Sequence, residues 1–299
     1  MIDYLTKLIH AGKRHKIRSL PHLGIWLWLL LCIPCLLASC GNDDDEKEKG
    51  LSVSLSWTNE ADKGTKVKDV KLWIFNAGKD SLVEEKHYGS AEEMASQRFQ
   101  LPEGTYRILT TTNLSEPFFI KEQTRALSSW NNILIGLTNP KDVKNNAYFG
   151  VTDVKIDNKE GSQVMKNPIR SVLSELTIII ENVPKGTEMN GKALDCAGCL
   201  FPTQKNSDGD YGLPGIEPTE VEFPTILSTG STLQSEVIRL MPTILGSQAS
   251  HIYLRLLLPN ATLLEYDITA PVMKAGGKYE LRFKLEEMQP KIYLESDIN

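Results

Sequence analysis

Histidine is scarce in this chain. There are five in 299 residues, and three of them fall within the first 39. Beyond that stretch only His87 and His251 remain, too few for a multi-histidine metal site and a poor basis for histidine-driven catalysis. Cysteine is equally thin. Cys32 and Cys35 lie in an N-terminal apolar run, which leaves Cys40, Cys196 and Cys199. Positive charge is in deficit, with 33 Lys and Arg against 38 Asp and Glu, a formal charge of −5. The first 39 residues hold five of the bases and one of the acids, so the remaining 260 carry 28 against 37, or −9. That balance argues against a nucleic-acid binder, which needs clustered Lys and Arg. Glycine-rich phosphate loops, a nucleophile elbow and short-period repeats are also missing. What remains, at 41% hydrophobic and 24% charged, has the composition of a folded globular protein.

The N-terminus reads as an address. Lys7, Lys13, Arg14, Lys16 and Arg18 form a basic region, and Leu23 to Leu37 is an uncharged apolar run of fifteen residues. That is short for a membrane span and right for the core of a secretory signal; an uncleaved anchor is the competing reading. Leu37-Ala38-Ser39-Cys40 resembles a bacterial lipobox. The resemblance implies cleavage between Ser39 and Cys40 and a diacylglyceryl group on the Cys40 thiol. Two or more acyl chains suffice for stable anchoring. Asn42 to Lys49 follow as a charged, solvated tether. The tether is similar to the acidic export signal of surface lipoproteins in Bacteroides-type bacteria, which favours the outer face of the outer membrane over the periplasmic one.

From residue 51 the strand pattern dominates. Leu51, Val53, Leu55 and Trp57 alternate with serines, and Val67 to Phe75 forms a second strand with Val70, Leu72 and Ile74 on one face. Asn76 to Asp80 turns the chain and Ser81 to Tyr88 returns it as a hairpin. Ser90 as N-cap with Glu93 three residues on predicts a short helix to Gln97. Strands are expected at Thr105 to Thr111, Tyr148 to Ile156, Ile169 to Asn182, Val237 to Met241, His251 to Leu258, Thr262 to Ile268 and Lys278 to Leu285. A helix is expected over Ala126 to Leu137, and the Gly-, Pro- and Asp-rich stretch 184–220 reads as a long loop region. Many short strands point to antiparallel sandwiches, an all-β fold. The expected organisation is a signal at 1–39, a lipidated cysteine and tether at 40–50, and sandwiches at 51–165 and 166–299, with the break near 158–168. The tail Met288 to Asn299 is either an interaction strand or the last strand of the second sandwich.

The order of pieces resembles the fimbrillin and fimbrial-anchor family of Bacteroides-type bacteria. The lipobox comes first, then Val70-Lys-Leu-Trp-Ile-Phe75 with its turn, then Leu101-Pro-Glu-Gly-Thr-Tyr-Arg-Ile-Leu-Thr-Thr-Thr-Asn113, then Arg170 to Ile180. The resemblance implies two transthyretin-like β-sandwich domains and a non-enzymatic role in surface fimbriae for adhesion. It also implies partner subunits that join by strand exchange, with no cofactor. In that family, stalk subunits lose the lipid and first strand to an Arg-directed protease. Here no Arg occurs between Cys40 and Gln97, which favours an anchor or accessory subunit; a Lys-directed cut at Lys63, Lys66 or Lys68 would undo the argument. The rival reading is a glycan-binding surface lipoprotein.

The remaining chemical candidates have plainer readings. Cys196-Ala-Gly-Cys199 lacks a second ligand pair for zinc and reads as a local disulfide or spare thiols. Asn206-Ser-Asp-Gly-Asp210 resembles part of a calcium loop but lacks the closing acid, so an Asx-rich turn is favoured. Trp57, Trp73 and Trp130 are candidates for stacking on sugar rings, with a core role favoured. A Ser/His/Asp triad would have to recruit His87 or His251. An exported hydrolase is the least favoured class.

Overall fold

The computed structural model describes residues 50–122, 129–140, 143–157 and 161–289. The expected signal, Ser39, Cys40, the tether and the tail beyond Gln289 lie outside the described residues.

The first half supplies β1 (Gly50–Trp57), β2 (Val70–Asn76), β3 (Ser81–Tyr88), the short helix α1 (Ala91–Ala95), β4 (Gly104–Thr112), β5 (Phe118–Glu122), β6 (Ile133–Leu137), β7 (Tyr148–Ile156) and β8 (Ser162–Ser171). Six of these strands form one sheet in the order β1-β8-β7-β4-β2-β3. Alternation explains its two-sided core. Val70, Leu72 and Ile74 of β2 pack to one side with Leu51, Val53, Ile108 and Met94. Trp73 and Phe75 pack to the other with Leu109, Trp130 and Ile133. A strand buried on both faces belongs in the middle of a sheet, and each such side chain contributes about 1.5–3 kcal/mol by leaving water. The helix α1 forms where the capping pattern predicts it. Ser90 Oγ accepts from the Glu93 N–H at 3.2 Å, and the Glu93 carboxylate accepts from the Gly89 N–H at 2.7 Å.

The second half supplies β9 (Ser174–Glu181), β10 (Glu188–Ala197), β11 (Cys199–Lys205), β12 (Tyr211–Pro214), β13 (Pro218–Leu227), β14 (Thr232–Gln234), β15 (Ile238–Leu240), β16 (Ser250–Leu257), β17 (Leu263–Ala270) and β18 (Lys278–Lys284). One sheet has the order β13-β10-β16-β17. It faces a second sheet in which β9 pairs antiparallel with β14 and β15 and parallel with β18. Leu176, Ile178 and Ile180 of β9 meet Met189, Phe223, Ile252 and Leu254 in the core between them. The architecture is all-β, as the strand pattern indicated.

Several expectations are corrected. Residues 133–137, expected within a helix, form β6, paired with β5 on one side and β11 on the other. Ile133 and Ile135 are both buried at strand spacing, and a short apolar run does not by itself separate helix from strand. The stretch 184–220 is not a long loop: β10, β11, β12 and the start of β13 fill it. Its glycines and prolines have positional roles. A Cβ on Gly191 would lie 2.3 Å from the Tyr253 carbonyl oxygen, so the central strand β10 needs glycine there. Pro218 and Pro224 sit on β13, an edge strand that tolerates a missing N–H. The single strand expected at 169–182 is two, β8 and β9, separated at Val172 and Leu173.

A fourth sheet, β12-β11-β6-β5, draws strands from both halves of the chain. It covers the Trp73–Phe75 face of the six-stranded sheet, with Phe118, Ile135, Phe149 and Leu200 buried among neighbours from both. Gly212, at φ +107°, lets β12 lie against the Phe149 ring, where a Cβ would stand 2.7 Å from the ring edge.

Candidate functional site

The first strand is the feature on which an anchor or stalk role turns. β1 pairs with β8 in parallel along its whole length, from Gly50 opposite Ser162 to Trp57 opposite Ile169. Its other edge is bridged by Phe99 through paired backbone bonds to Leu51, at 3.0 and 2.9 Å. Leu51 and Val53 are essentially inaccessible to solvent. Ser52 Oγ donates to the Ala95 carbonyl at 2.8 Å, fixing β1 to α1. β1 is thus an edge strand of the six-stranded sheet whose inner side chains are buried in the core, and removing it would expose the buried residues it covers.

The segment after β1 is tied down at two points. Asn113 Oδ1 accepts from the Lys68 N–H at 2.7 Å, and Asn113 Nδ2 donates to the Lys66 carbonyl at 3.2 Å. Asp62, buried at the end of a 3₁₀ turn spanning Glu60–Asp62, meets Lys278 Nζ at 3.3 Å. The same ammonium meets Glu175 at 3.3 Å, and Arg239 Nε lies 3.5 Å from the other Glu175 oxygen. Burial pulls the Lys278 pKa down, but the Glu175 and Asp62 carboxylates more than offset it and hold the ammonium above its ordinary value. Sequence reasoning missed this tie. Its partners come from three distant segments, and nothing local marks any of them.

Lys63, Lys66 and Arg98 are exposed. Arg98 follows α1 and donates to the Gln97 carbonyl at 3.1 Å. A cut there would fall beyond β1, β2, β3 and α1 together.

The other sequence candidates take structural places. Cys196 is the last but one residue of β10 and Cys199 begins β11, on either side of a bend at Gly198, and both are free thiols. Burial, helped by the Asp195 charge, pushes the Cys196 thiol up to about 12, and burial raises Cys199 as well. Neither is primed as a nucleophile. The Asn206–Asp210 turn is closed by Asn206 Oδ1, which accepts from the Asp208 and Asp210 N–H groups at 3.0 Å. Asp208 is held by Lys274 Nζ at 2.6 Å and Asp210 faces Arg170 at 3.9 Å, so two cations already occupy these acids. Both remaining histidines pair with carboxylates, His87 with Asp69 and His251 with Asp195, each at 2.5 Å. The buried Ser250 hydroxyl beside His251 is engaged by Thr243. Trp73 and Trp130 are buried, and Trp57 packs edge-on against buried Tyr148 at 4.9 Å. Trp73 and Trp130 present no stacking platform. Among the described residues no helix is long and apolar enough to cross a membrane.

The profile of the fimbrillin-A associated anchor proteins Mfa1 and Mfa2 matches residues 42–299. The chain belongs to this family. Its role is fimbrial and adhesion-related, in association with other fimbrial components, and it is not an enzyme. Solved structures share the fold. The fimbrial anchor protein Mfa2 from Porphyromonas gingivalis superposes with a TM-score of 0.51 at 12% identity, over 73% of this chain and 81% of that one. A candidate cell adhesion protein from Bacteroides eggerthii gives 0.54 at 11%, over 82% and 93%. A candidate adhesin from Bacteroides ovatus gives 0.51 at 12%, over 85% and 99%. No curated protein matches the sequence.

Proposed function

We propose that this chain is a lipid-anchored fimbrial subunit that holds a fimbria to the outer membrane through Cys40 and meets neighbouring subunits by strand exchange. In this reading residues 1–39 are removed and residues 40–50 carry the lipid and the tether. The chain beyond the tether forms two sandwiches, the first completed by β8, joined through the β6–β11 pair. The observation that carries the anchor role is the seating of β1. It is paired along its full length, and the first arginine of the expected mature chain is Arg98, beyond it. Strand exchange draws support from the sheet edges at β3, β13 and β17, whose outer backbone groups have no neighbouring strand within their sheets among the described residues.

N-terminal mass spectrometry of protein extracted from membranes tests both parts. The expected mature form begins at an acylated Cys40 and retains β1, and Cys40→Ala shifts the protein to a soluble pool. An unmodified N-terminus, or a Cys40→Ala protein that still fractionates fully with membranes, overturns the lipid anchor. A mature form beginning after Lys63, Lys66 or Lys68 overturns the anchor role in favour of a stalk subunit.

A further inference from the structure

The second sandwich is open along one side, between the outer edges of β17 and β18. β17 is the last strand of the sheet β13-β10-β16-β17, and β18 pairs with β9 alone among the described residues. Between them runs a groove of about 420 Å³, walled by Tyr266–Thr269 of β17, Arg282–Lys284 of β18 and Glu287–Gln289 beyond it. We infer that residues 291–295 of this same chain, Lys-Ile-Tyr-Leu-Glu, dock in the groove as an added strand along β17. The inference goes beyond the anchor role and does not depend on it. In the strand-exchange reading, a partner strand reaches β17 only by displacing this tail.

The first argument is the edge itself. β17 is eight residues long, pairs with β16 without a register shift and holds no proline. A flat edge of that length templates further pairing and is ordinarily blunted or covered. The other edges are blunted. β13 and β3 both meet their neighbours with register shifts, and β13 carries Pro218 and Pro224. β17 has neither device. The core also reaches the surface here: Tyr266 is buried, while Ile268 and Met288 pack against the core only partly covered. Apolar side chains laid along the groove would complete that burial.

The second argument is which segment can fill it. Gln289 lies in the groove wall, two residues before Lys291. At about 3.3 Å per residue, five extended residues span roughly 17 Å, so the tail can run along β17 with no intervening linker. Ile292 and Leu294 alternate with Lys291, Tyr293 and Glu295, a strand pattern with one apolar face. Pro290 stands just ahead of it, where a strand tolerates proline. Charge favours the tail over a second copy of β17. That strand carries Glu265 and Asp267 and no base, so two copies side by side would set acids against acids, which destabilises paired strands. The tail brings Lys291 to the same edge.

Amide exchange of the mature chain and of the same chain ending at Gln289 tests the inference. Exchange in Tyr266–Thr269 should be at least tenfold faster in the shortened chain, with β10 unchanged. A synthetic peptide of residues 290–299 should bind the shortened chain saturably, restore protection to β17 and leave the mature chain unbound. The full-length double variant Ile292→Asp/Leu294→Asp should exchange like the shortened chain. Equal exchange at β17 in the mature and shortened chains, or equal peptide binding to both, would overturn the inference. Protection of β17 that fades on dilution of the mature chain would also overturn it, by assigning the groove to a neighbouring copy. Membrane fractionation should be the same for both chains, which separates this outcome from failure of the lipid anchor.

Discussion

Lys278 Nζ stands 3.3 Å from the buried carboxylate of Asp62, a residue 216 positions earlier in the chain. The first residues of β18 are thereby fixed to the segment that follows β1. A carboxylate this buried needs a counter-charge, and Lys278, from the far end of the sequence, supplies it. The contact therefore ties the position of the first strand to the folding of the last.

Replacing Lys278 with Met should lower stability by about 1–2 kcal/mol, measured as a shift in urea midpoint at constant slope. That is less than the 3–5 kcal/mol of breaking a fully buried pair, because 42% of the Lys278 side chain stays accessible and is screened by water. The difference from the unaltered protein should depend on pH in one direction. Lys278 is raised above 10.5 in the folded chain, so its contribution is complete below that value and disappears as pH climbs through the folded pKa. Melting curves of the two proteins should converge only in that alkaline range.

Gly191→Ala should destabilise by about 2–3 kcal/mol, since the added methyl meets the Tyr253 carbonyl at 2.3 Å and two paired strands must part to admit it. Gly209→Ala is a useful contrast. Nothing lies near its Cβ, so any cost there reflects its φ of +84° alone and should be smaller. Thermal melts of both variants check the ranking.

Thiol labelling followed by peptide mapping should separate the two internal cysteines. In the native protein at pH 8, Cys199 alkylates slowly and Cys196 hardly at all, because burial holds the latter at about 12. Both should label at once in denaturant. The raised Cys196 value also has a sign for stability. The unfolded thiol ionises near 9 while the folded one keeps its proton, so stability declines as pH rises from 9 towards 12.

Ser90→Ala should cost about 1 kcal/mol through loss of the cap on α1. Because Met94 and the Ala95 carbonyl of that helix hold β1 from above, amide exchange in Leu51–Val53 should accelerate along with exchange in the helix. Faster exchange confined to α1 would show that the helix does not support the strand.

Much of the fold could be read from local pattern. The β2–β3 hairpin, β7, β16 and α1 lie where alternation, turn residues and the Ser90–Glu93 cap placed them. The misses have a common physical cause. β10 to β13 hide behind glycines and prolines whose roles depend on neighbours, as Gly191 does on Tyr253. β6 is short enough that Ile133 and Ile135 fit either period. The parallel pairings of β1 with β8 and of β18 with β9 leave no trace in either strand, since register across a hundred residues is set by packing. The same holds for the charged cluster of Asp62, Glu175, Arg239 and Lys278, gathered from four segments. Cys40, by contrast, rests wholly on its four-residue context.

The parallel alignment of β1 and β8 also bears on mechanics. In a parallel pair the N-terminal end of one strand and the C-terminal end of the other lie at opposite ends of the ladder. β1 is entered from Gly50, and β8 leaves at Ser171 towards the second half of the chain. A load applied between Gly50 and that second half thus draws the two strands lengthwise past each other. The ladder bonds share such a load together and do not peel one at a time. A strand so placed resists tension in the direction in which a fimbria would pull.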